Sequence, residues 1–209
     1  MPWSVLSSSV GKKLGMALTG LILYGFLLGH LVGNLLLLRD DGGAAFNAYA
    51  AFLAGHPLLL PVEFFLLTVL VLHVYLAVTV TLENRRARPV RYQQLGRFGG
   101  GNAASSTMIY SGAVILIFLV LHLRAFKFGD RGDGTLYDLV VASFRQPLFA
   151  AWYVLCMAIL GFHLWHAFQS ACQTVGVGAH RVRVIGVLGC LLLSLGFGFL
   201  PVYLGFLSR

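Results

Sequence analysis

Long apolar runs alternate with short polar stretches along the whole chain. Five of these runs, at about 14–38, 58–82, 103–123, 148–176 and 184–207, contain almost no charged residues. Each reaches the roughly 20 residues that an α-helix needs to cross the hydrocarbon core of a bilayer. The pattern predicts an all-α membrane protein in which residues 1–209 form a single domain with five transmembrane helices, numbered span one to span five.

A shorter apolar pattern lies in the connection between spans one and two. Its apolar residues recur at positions i, i+3, i+4 and i+7, namely Phe46, Tyr49, Ala50 and Leu53. This spacing places the four side chains on one face of a helix, as in helices that lie flat in the membrane surface. We therefore predict a short interfacial helix here, ending at Gly55-His56-Pro57.

The composition agrees with a membrane protein and narrows its chemistry. The chain is 58% hydrophobic and 11% charged, with a mean hydropathy of +0.84, values that ordinary soluble domains do not reach. Span one has 25 uncharged residues, more than the apolar core of about 7–15 residues in a signal peptide, so we expect it to be retained. Cys156, Cys172 and Cys190 lie within spans and lack CxxC spacing, which argues against a disulfide framework and against zinc or iron–sulfur sites.

The net charge of +8 is distributed unevenly between the two predicted sides. One side carries Glu83 and nine basic residues: Lys12, Lys13, Arg85, Arg86, Arg88, Arg91, Arg97, Arg181 and Arg183. The other side carries equal numbers of each sign: Arg39, Arg124, Lys127, Arg131, Arg145 and Arg209 against Asp40, Asp41, Glu63, Asp130, Asp133 and Asp138. The positive-inside rule then predicts a cytoplasmic N-terminus and an external C-terminus. Topology and anionic lipid account for the basicity, and nucleic acid is not required.

Spans one to four each contain a histidine well inside the apolar run. His30 and His122 lie toward the outer ends of spans one and three, whereas His73 and His163 lie at middle to inner depth in spans two and four. Ionisable groups inside a membrane are costly, and imidazole is the commonest metal ligand. A single such histidine is often only a hydrogen-bonding group between helices. Four of them, sorted by depth into an outer pair and an inner pair, indicate paired ligands.

Two b-type haems, each held by two neutral imidazoles, account for this arrangement most economically. They would lie inside a four-helix bundle of spans one to four, with span five peripheral. Zinc or copper would favour ligands clustered on one helix or joined by Cys, Asp or Glu, and that pattern is missing from the sequence. Gly25, Gly29 and Gly33 either serve helix packing or clear a surface beside His30 for a flat macrocycle.

Several motifs carry a resemblance to a known family. They are GHLVGN around His30, FNAYAAFL in the interfacial segment, LHVYLA around His73, SG ahead of LHL at His122, and FHLWHAFQSACQTVG from Phe162. Over essentially its whole length the chain resembles the single-polypeptide, five-helix dihaem cytochrome b membrane-anchor subunit of succinate dehydrogenase or fumarate reductase. The resemblance implies a distal haem on His30 and His122 and a proximal haem on His73 and His163.

The resemblance also implies partners and a location. A flavoprotein subunit and an iron–sulfur subunit would dock on the cytoplasmic face, and electrons would pass to menaquinone or ubiquinone in a bacterial cytoplasmic membrane. The whole complex could form a higher oligomer. The chain itself has no strand pattern and no GxGxxG motif, so we expect no flavin or dicarboxylate site in it.

Further residues have weaker assignments. His166, three residues after His163, either supports that ring or packs beside it. Depth alone makes four residues candidates for pairing with haem propionates: Arg145, Arg124, Ser106 and Lys13. Glu63, the carboxylate placed within span two, is our candidate for a proton relay at a menaquinone site; the alternative is an interfacial carboxylate hydrated among headgroups.

Two other classes of protein are alternatives. A cytochrome b of the nitrate-reductase type also has five helices and two haems, but it concentrates the ligands on two helices, whereas here four spans supply one histidine each. A proton-coupled transporter would be expected to show broken helices or internal repeats, and neither is visible in the sequence.

Overall fold

The computed structural model describes residues 8–87, 103–178 and 180–207 of the chain, without the side chains of residues 103–106 and 183. Among these residues every regular element is helical. The five long helices are α1 (Ser9–Asn34), α3 (Leu59–Arg86), α4 (Ala103–His122), α6 (Pro147–Val175) and α7 (His180–Val202). Two short helices, α2 (Ala44–Ala54) and α5 (Leu136–Phe144), lie between them. Thus the five predicted spans and the short helix after span one are confirmed.

Four of the five long helices, all but α6, are longer than the apolar runs that predicted them. α1 begins at Ser9 and continues as a 3₁₀ turn to Leu38, and α3 continues to Arg86. α4 continues as a π-helical turn over Leu123–Lys127, and α7 continues as another over Tyr203–Leu207. Hydrophobicity marks only the part of a helix that lies in hydrocarbon, so charged residues in the headgroup region extend the helix beyond it.

Side chains and backbone geometry define where the long helices begin and end. The hydroxyl of Ser8 accepts a 3.0 Å hydrogen bond from the amide of Gly11 and caps α1. α6 starts with Pro147 in its first turn, where a missing N–H costs nothing. It ends at Gly176, whose φ of +78° is a left-handed conformation that favours glycine.

Four of the long helices form a ring. α1 packs against α3 and α6, α6 packs against α4, and α4 meets α3 across the least extensive of the four contacts. The ends of the ring differ. We call the end that carries Lys12, Lys13, Arg85, Arg86 and Arg181 the basic end. The opposite end is covered by α2 and α5, and we call it the covered end.

α7 lies outside this ring and makes the most extensive helix contact of the molecule, with α6. Its glycines allow close packing: Gly186 faces Phe168, and Gly189 faces Tyr24. Leu193 and Leu204 are fully buried. The fifth span therefore lies outside the ring, as predicted, and its residues also contribute to the hydrophobic core.

The covered end contains a helix that the sequence analysis missed. α5 begins at a capping box in which Thr135 and Asp138 bond reciprocally to each other's backbone and side chain. The motif TLYD followed by an apolar stretch was the available signal. The backbone amide of Tyr137 donates to the side-chain oxygen of Asn47 at 3.1 Å, which joins α5 to α2. The sequence predicted that Phe46 and Leu53 lie on the same apolar face of α2. Phe46 is buried, whereas Leu53 is 37% exposed.

Candidate histidine site

The structure brings the outer pair of histidines together. His30 on α1 and His122 on α4 have ring centroids 6.0 Å apart, with their planes nearly perpendicular at 89°. A metal–nitrogen bond is about 2 Å long, so two imidazoles facing one metal ion have centroids about 6 Å apart. The observed separation is compatible with one metal ion between the two rings.

Aromatic side chains from three helices surround the outer pair. Phe26 stacks on His30 with centroids 5.4 Å apart, and Phe197 of α7 lies 5.6 Å from the same ring. Phe118 and Phe126 flank His122 at 5.7 and 5.5 Å. These rings create an apolar environment, and Phe197 shows that α7 also reaches the site.

Each histidine of the outer pair also has a polar neighbour. The amide nitrogen of Asn34 lies 3.4 Å from both ring nitrogens of His30 and donates to the backbone carbonyl of His30 at 2.8 Å. The Nδ1 atom of His122 lies 3.3 Å from the hydroxyl of Tyr153, which is 6% exposed. The sequence analysis did not identify Tyr153, because it lies 31 residues from His122 on another helix.

The inner pair also comes from facing helices, His73 from α3 and His163 from α6. Each uses its Nδ1 atom to contact a hydroxyl on a neighbouring helix: Thr19 at 3.1 Å from His73, and Ser111 at 3.0 Å from His163. The arrangement is therefore the same at both histidines.

The hydroxyl contacts are compatible with a proton on Nδ1 of each histidine. The hydroxyl proton of Thr19 is donated to the carbonyl of Gly15 at 2.8 Å, and that of Ser111 to the carbonyl of Met108 at 3.0 Å. A hydroxyl has one proton, and when that proton goes to the carbonyl the oxygen accepts from the histidine Nδ1–H. The neutral imidazole then presents an unprotonated Nε2, which is the atom that can bind a metal.

A glycine follows each hydroxyl residue and makes room for the ring. A Cβ atom on Gly20 would lie 3.2 Å from Cε1 of His73, and one on Gly112 would lie 3.4 Å from Cε1 of His163. The motifs Thr19-Gly20 and Ser111-Gly112 therefore have the same role at the two inner histidines. The sequence analysis quoted the second motif but missed the first, although the two share the pattern of a hydroxyl residue followed by glycine.

The donor set fits a prosthetic group that needs two axial nitrogens. Among the described residues no three His, Cys, Asp or Glu side chains cluster to hold a metal ion by themselves. What these residues offer instead are pairs of imidazoles. Beside His30, Gly25 and Gly29 have no described atom within 4 Å of where a Cβ would stand. These two glycines therefore do not serve packing within the described chain.

His166 lies beside the inner pair but has a different environment. Its ring stacks on Trp165 with centroids 4.9 Å apart. Its Nε2 atom is buried and has no hydrogen-bond partner among the described residues, a property it shares with Nε1 of Trp152. Unlike His73 and His163, His166 therefore has no described hydroxyl that would orient its ring.

The structure does not bring the propionate candidates to the histidines. Arg124 and Arg145 are exposed near the covered end, and Arg145 follows the last residue of α5. Lys13 is exposed at the basic end. None of these three has a described contact with a histidine, and the side chain of Ser106 lies outside the described residues.

Glu63 forms an ion pair with Lys127. The pair joins α3 to the π-helical end of α4 across the seam where these helices otherwise make little contact. Both side chains are partly exposed, Glu63 by 34% and Lys127 by 39%. Glu63 therefore bridges two helices at the edge of the membrane, and no contact with His30 or His122 is among its described interactions.

No family model, curated protein or solved structure matched the chain in comparisons with known proteins.

Proposed function

We propose that the chain is the membrane-anchor and electron-transfer subunit of a succinate:quinone oxidoreductase and holds two b-type haems. The observation that supports this most directly is the arrangement of the inner pair. Two histidines from facing helices each have Nδ1 within hydrogen-bond distance of a hydroxyl that also reaches a backbone carbonyl of its own helix. Any buried imidazole needs a hydrogen-bond partner, and for an axial ligand that partner also fixes the tautomer; the occurrence of the same arrangement at both members of the pair favours ligands.

The residues have distinct roles in this proposal. His30 and His122 would hold one haem and His73 and His163 the other, and each haem when bound would supply a one-electron carrier. Thr19 and Ser111 orient the inner rings and keep Nε2 unprotonated. The phenylalanines around the outer pair exclude water. One histidine from each of four helices favours this class over a cytochrome that places its ligands on two helices.

The partners in this proposal are those that the family resemblance implies. The basic end would receive an iron–sulfur subunit and a flavoprotein subunit, which would carry the dicarboxylate chemistry. A quinone, menaquinone or ubiquinone, would be the second substrate, in a bacterial cytoplasmic membrane with the N-terminus inside. The five apolar helices support a multi-pass membrane protein, and the remaining points rest on the resemblance.

Haem content of the purified protein tests the proposal. We expect two haems per chain by pyridine haemochrome and a b-type band in the reduced-minus-oxidised spectrum. His163→Ala should remove one haem and leave the other, and His166→Ala, the matched control on the same helix, should keep both. A purified chain without a b-type spectrum would contradict the proposal, and loss of a haem in His166→Ala with retention in His163→Ala would reassign the ligand.

A further inference from the structure

A cleft of about 340 Å³ opens at the basic end between α1 and α3. Residues one helical turn apart on each helix line it: Ser9, Lys12 and Lys13 from α1, and Val80, Glu83 and Asn84 from α3. Its volume is at the lower end of the range of small-molecule sites, about 300–1,000 Å³. None of these residues contacts the four paired histidines, so the cleft is separate from the site described above.

The charges of the lining favour an anion. Lys12 pairs with Glu83, so these two charges compensate each other within the cleft. Lys13 is exposed and has no ion pair or hydrogen bond among the described residues. Among the described residues the cleft therefore has one uncompensated positive charge, and the hydroxyl of Ser9 and the amide of Asn84 add neutral hydrogen-bond donors.

The position of the cleft favours a lipid as the source of that anion. Lys13 precedes Thr19 by six residues, which places it about 9 Å farther toward the membrane surface at 1.5 Å per residue. This is the level of the headgroups, whereas Thr19 and His73 lie deeper. Val80 is buried beneath the polar residues and offers apolar surface on the side toward the hydrocarbon. Basic pockets between transmembrane helices on the cytoplasmic side are typical binding places for anionic headgroups.

We propose that this cleft binds the phosphate of an anionic phospholipid such as phosphatidylglycerol. The uncompensated Lys13 ammonium pairs with the phosphate, Ser9 and Asn84 donate hydrogen bonds to its oxygens, and the Lys12–Glu83 ion pair holds α1 and α3 at the spacing of the cleft. The bound lipid joins the ends of two helices of the ring. This inference does not depend on the proposed haem function.

Native mass spectrometry of the full chain in detergent tests the lipid site. We expect phosphatidylglycerol to bind more tightly than phosphatidylcholine with the same acyl chains. Lys13→Gln should weaken phosphatidylglycerol binding about fivefold, the effect of one cation near an anionic headgroup. Arg145→Gln, which removes one exposed cation at the opposite end, is the matched control and should not change binding. Equal binding by wild type and Lys13→Gln, or no preference between the two lipids, would overturn the proposal.

Further experiments distinguish a lipid phosphate from free phosphate as the bound anion. Asn84→Leu removes the amide donor without changing the charge or the number of side-chain heavy atoms, and it should also weaken phosphatidylglycerol binding; unchanged binding would place the lipid elsewhere. Inorganic phosphate in millimolar excess should not displace the lipid, and displacement would assign the cleft to free phosphate. Haem content should be the same in Lys13→Gln and wild type. A lower haem content would assign Lys13 to a haem propionate and overturn the lipid site.

Discussion

Nδ1 of His73 lies 3.1 Å from the hydroxyl oxygen of Thr19, and Thr19 in turn donates its proton to the carbonyl of Gly15. The same relationship joins His163, Ser111 and Met108 on the other side of the ring. A threonine or serine inside a helix commonly bonds back to its own helix. Here a back-bond of this kind lets the oxygen accept from Nδ1–H and so favours one tautomer of a histidine on a different helix.

Thr19→Val keeps the shape of the side chain and removes the acceptor. We expect it to weaken retention of the haem on the inner pair by about 10- to 100-fold, the usual effect of losing a partner behind a metal ligand. The rate of haem transfer to an excess of a haem-scavenging protein measures this. Thr79→Val is the matched control, because the Thr79 hydroxyl bonds only to the carbonyl of Tyr75 on its own helix. Equal transfer rates for the two variants would show that the Thr19 contact does not support the ligand.

Substitutions of Glu63 and Lys127 distinguish an ion pair from a proton relay. Glu63→Gln and Lys127→Met each break the pair, and because both groups are partly exposed we expect each to lower the free energy of unfolding by less than about 1 kcal/mol. Only Glu63→Gln also removes a titratable carboxyl. The relay hypothesis predicts that quinone reduction in the assembled complex slows about 100-fold in Glu63→Gln and is nearly unchanged in Lys127→Met. Equal turnover in both variants would leave Glu63 a purely structural role.

Gly186→Ala tests the contact between α7 and α6. The added methyl group would overlap the ring of Phe168, and overpacking of this kind costs about 1–3 kcal/mol. Thermal unfolding in detergent, followed by circular dichroism, should show a lower midpoint. Gly25→Ala is the control, because no described atom lies within 4 Å of the new methyl group and alanine favours a helix by about 0.5–1 kcal/mol. Similar midpoints for the two variants would contradict the close packing of α7.

The capping box of α5 gives a pH-dependent prediction. Hydrogen bonds from the side chain and backbone of Thr135 lower the pKa of Asp138 below its usual value. A lowered pKa in the folded state means that the contribution to stability is present above the unfolded value, about 3.9, and is lost as pH falls through the folded value. We expect NMR titration of the Asp138 carboxyl to show a higher pKa in Thr135→Ala than in wild type. Ser143→Ala, farther along α5, should leave the pKa of Asp138 as in wild type; an unchanged value in Thr135→Ala would exclude Thr135 as the cause.

The sequence by itself determined the number of spans and the depth of the histidines. Both follow from distance along the chain, because an apolar run must match the bilayer thickness and a helix rises by a constant amount per residue. That is why His30 could be grouped with His122 before the structure was known. The structure also shows that helices extend beyond the apolar runs. Apolar residues end at the level of the headgroups, whereas the hydrogen-bonded helical backbone continues past it.

Only the tertiary structure decided which side chains contact the histidines. Thr19 and His73 are 54 residues apart, Ser111 and His163 are 52 apart, and Glu63 and Lys127 are 64 apart. The two residues of each pair lie at the same depth in the membrane, but the rotation of each helix about its axis decides whether their side chains are in contact. That rotation is set by packing between helices, including the fit of Phe168 against Gly186 on α7. No local pattern in the sequence encodes it.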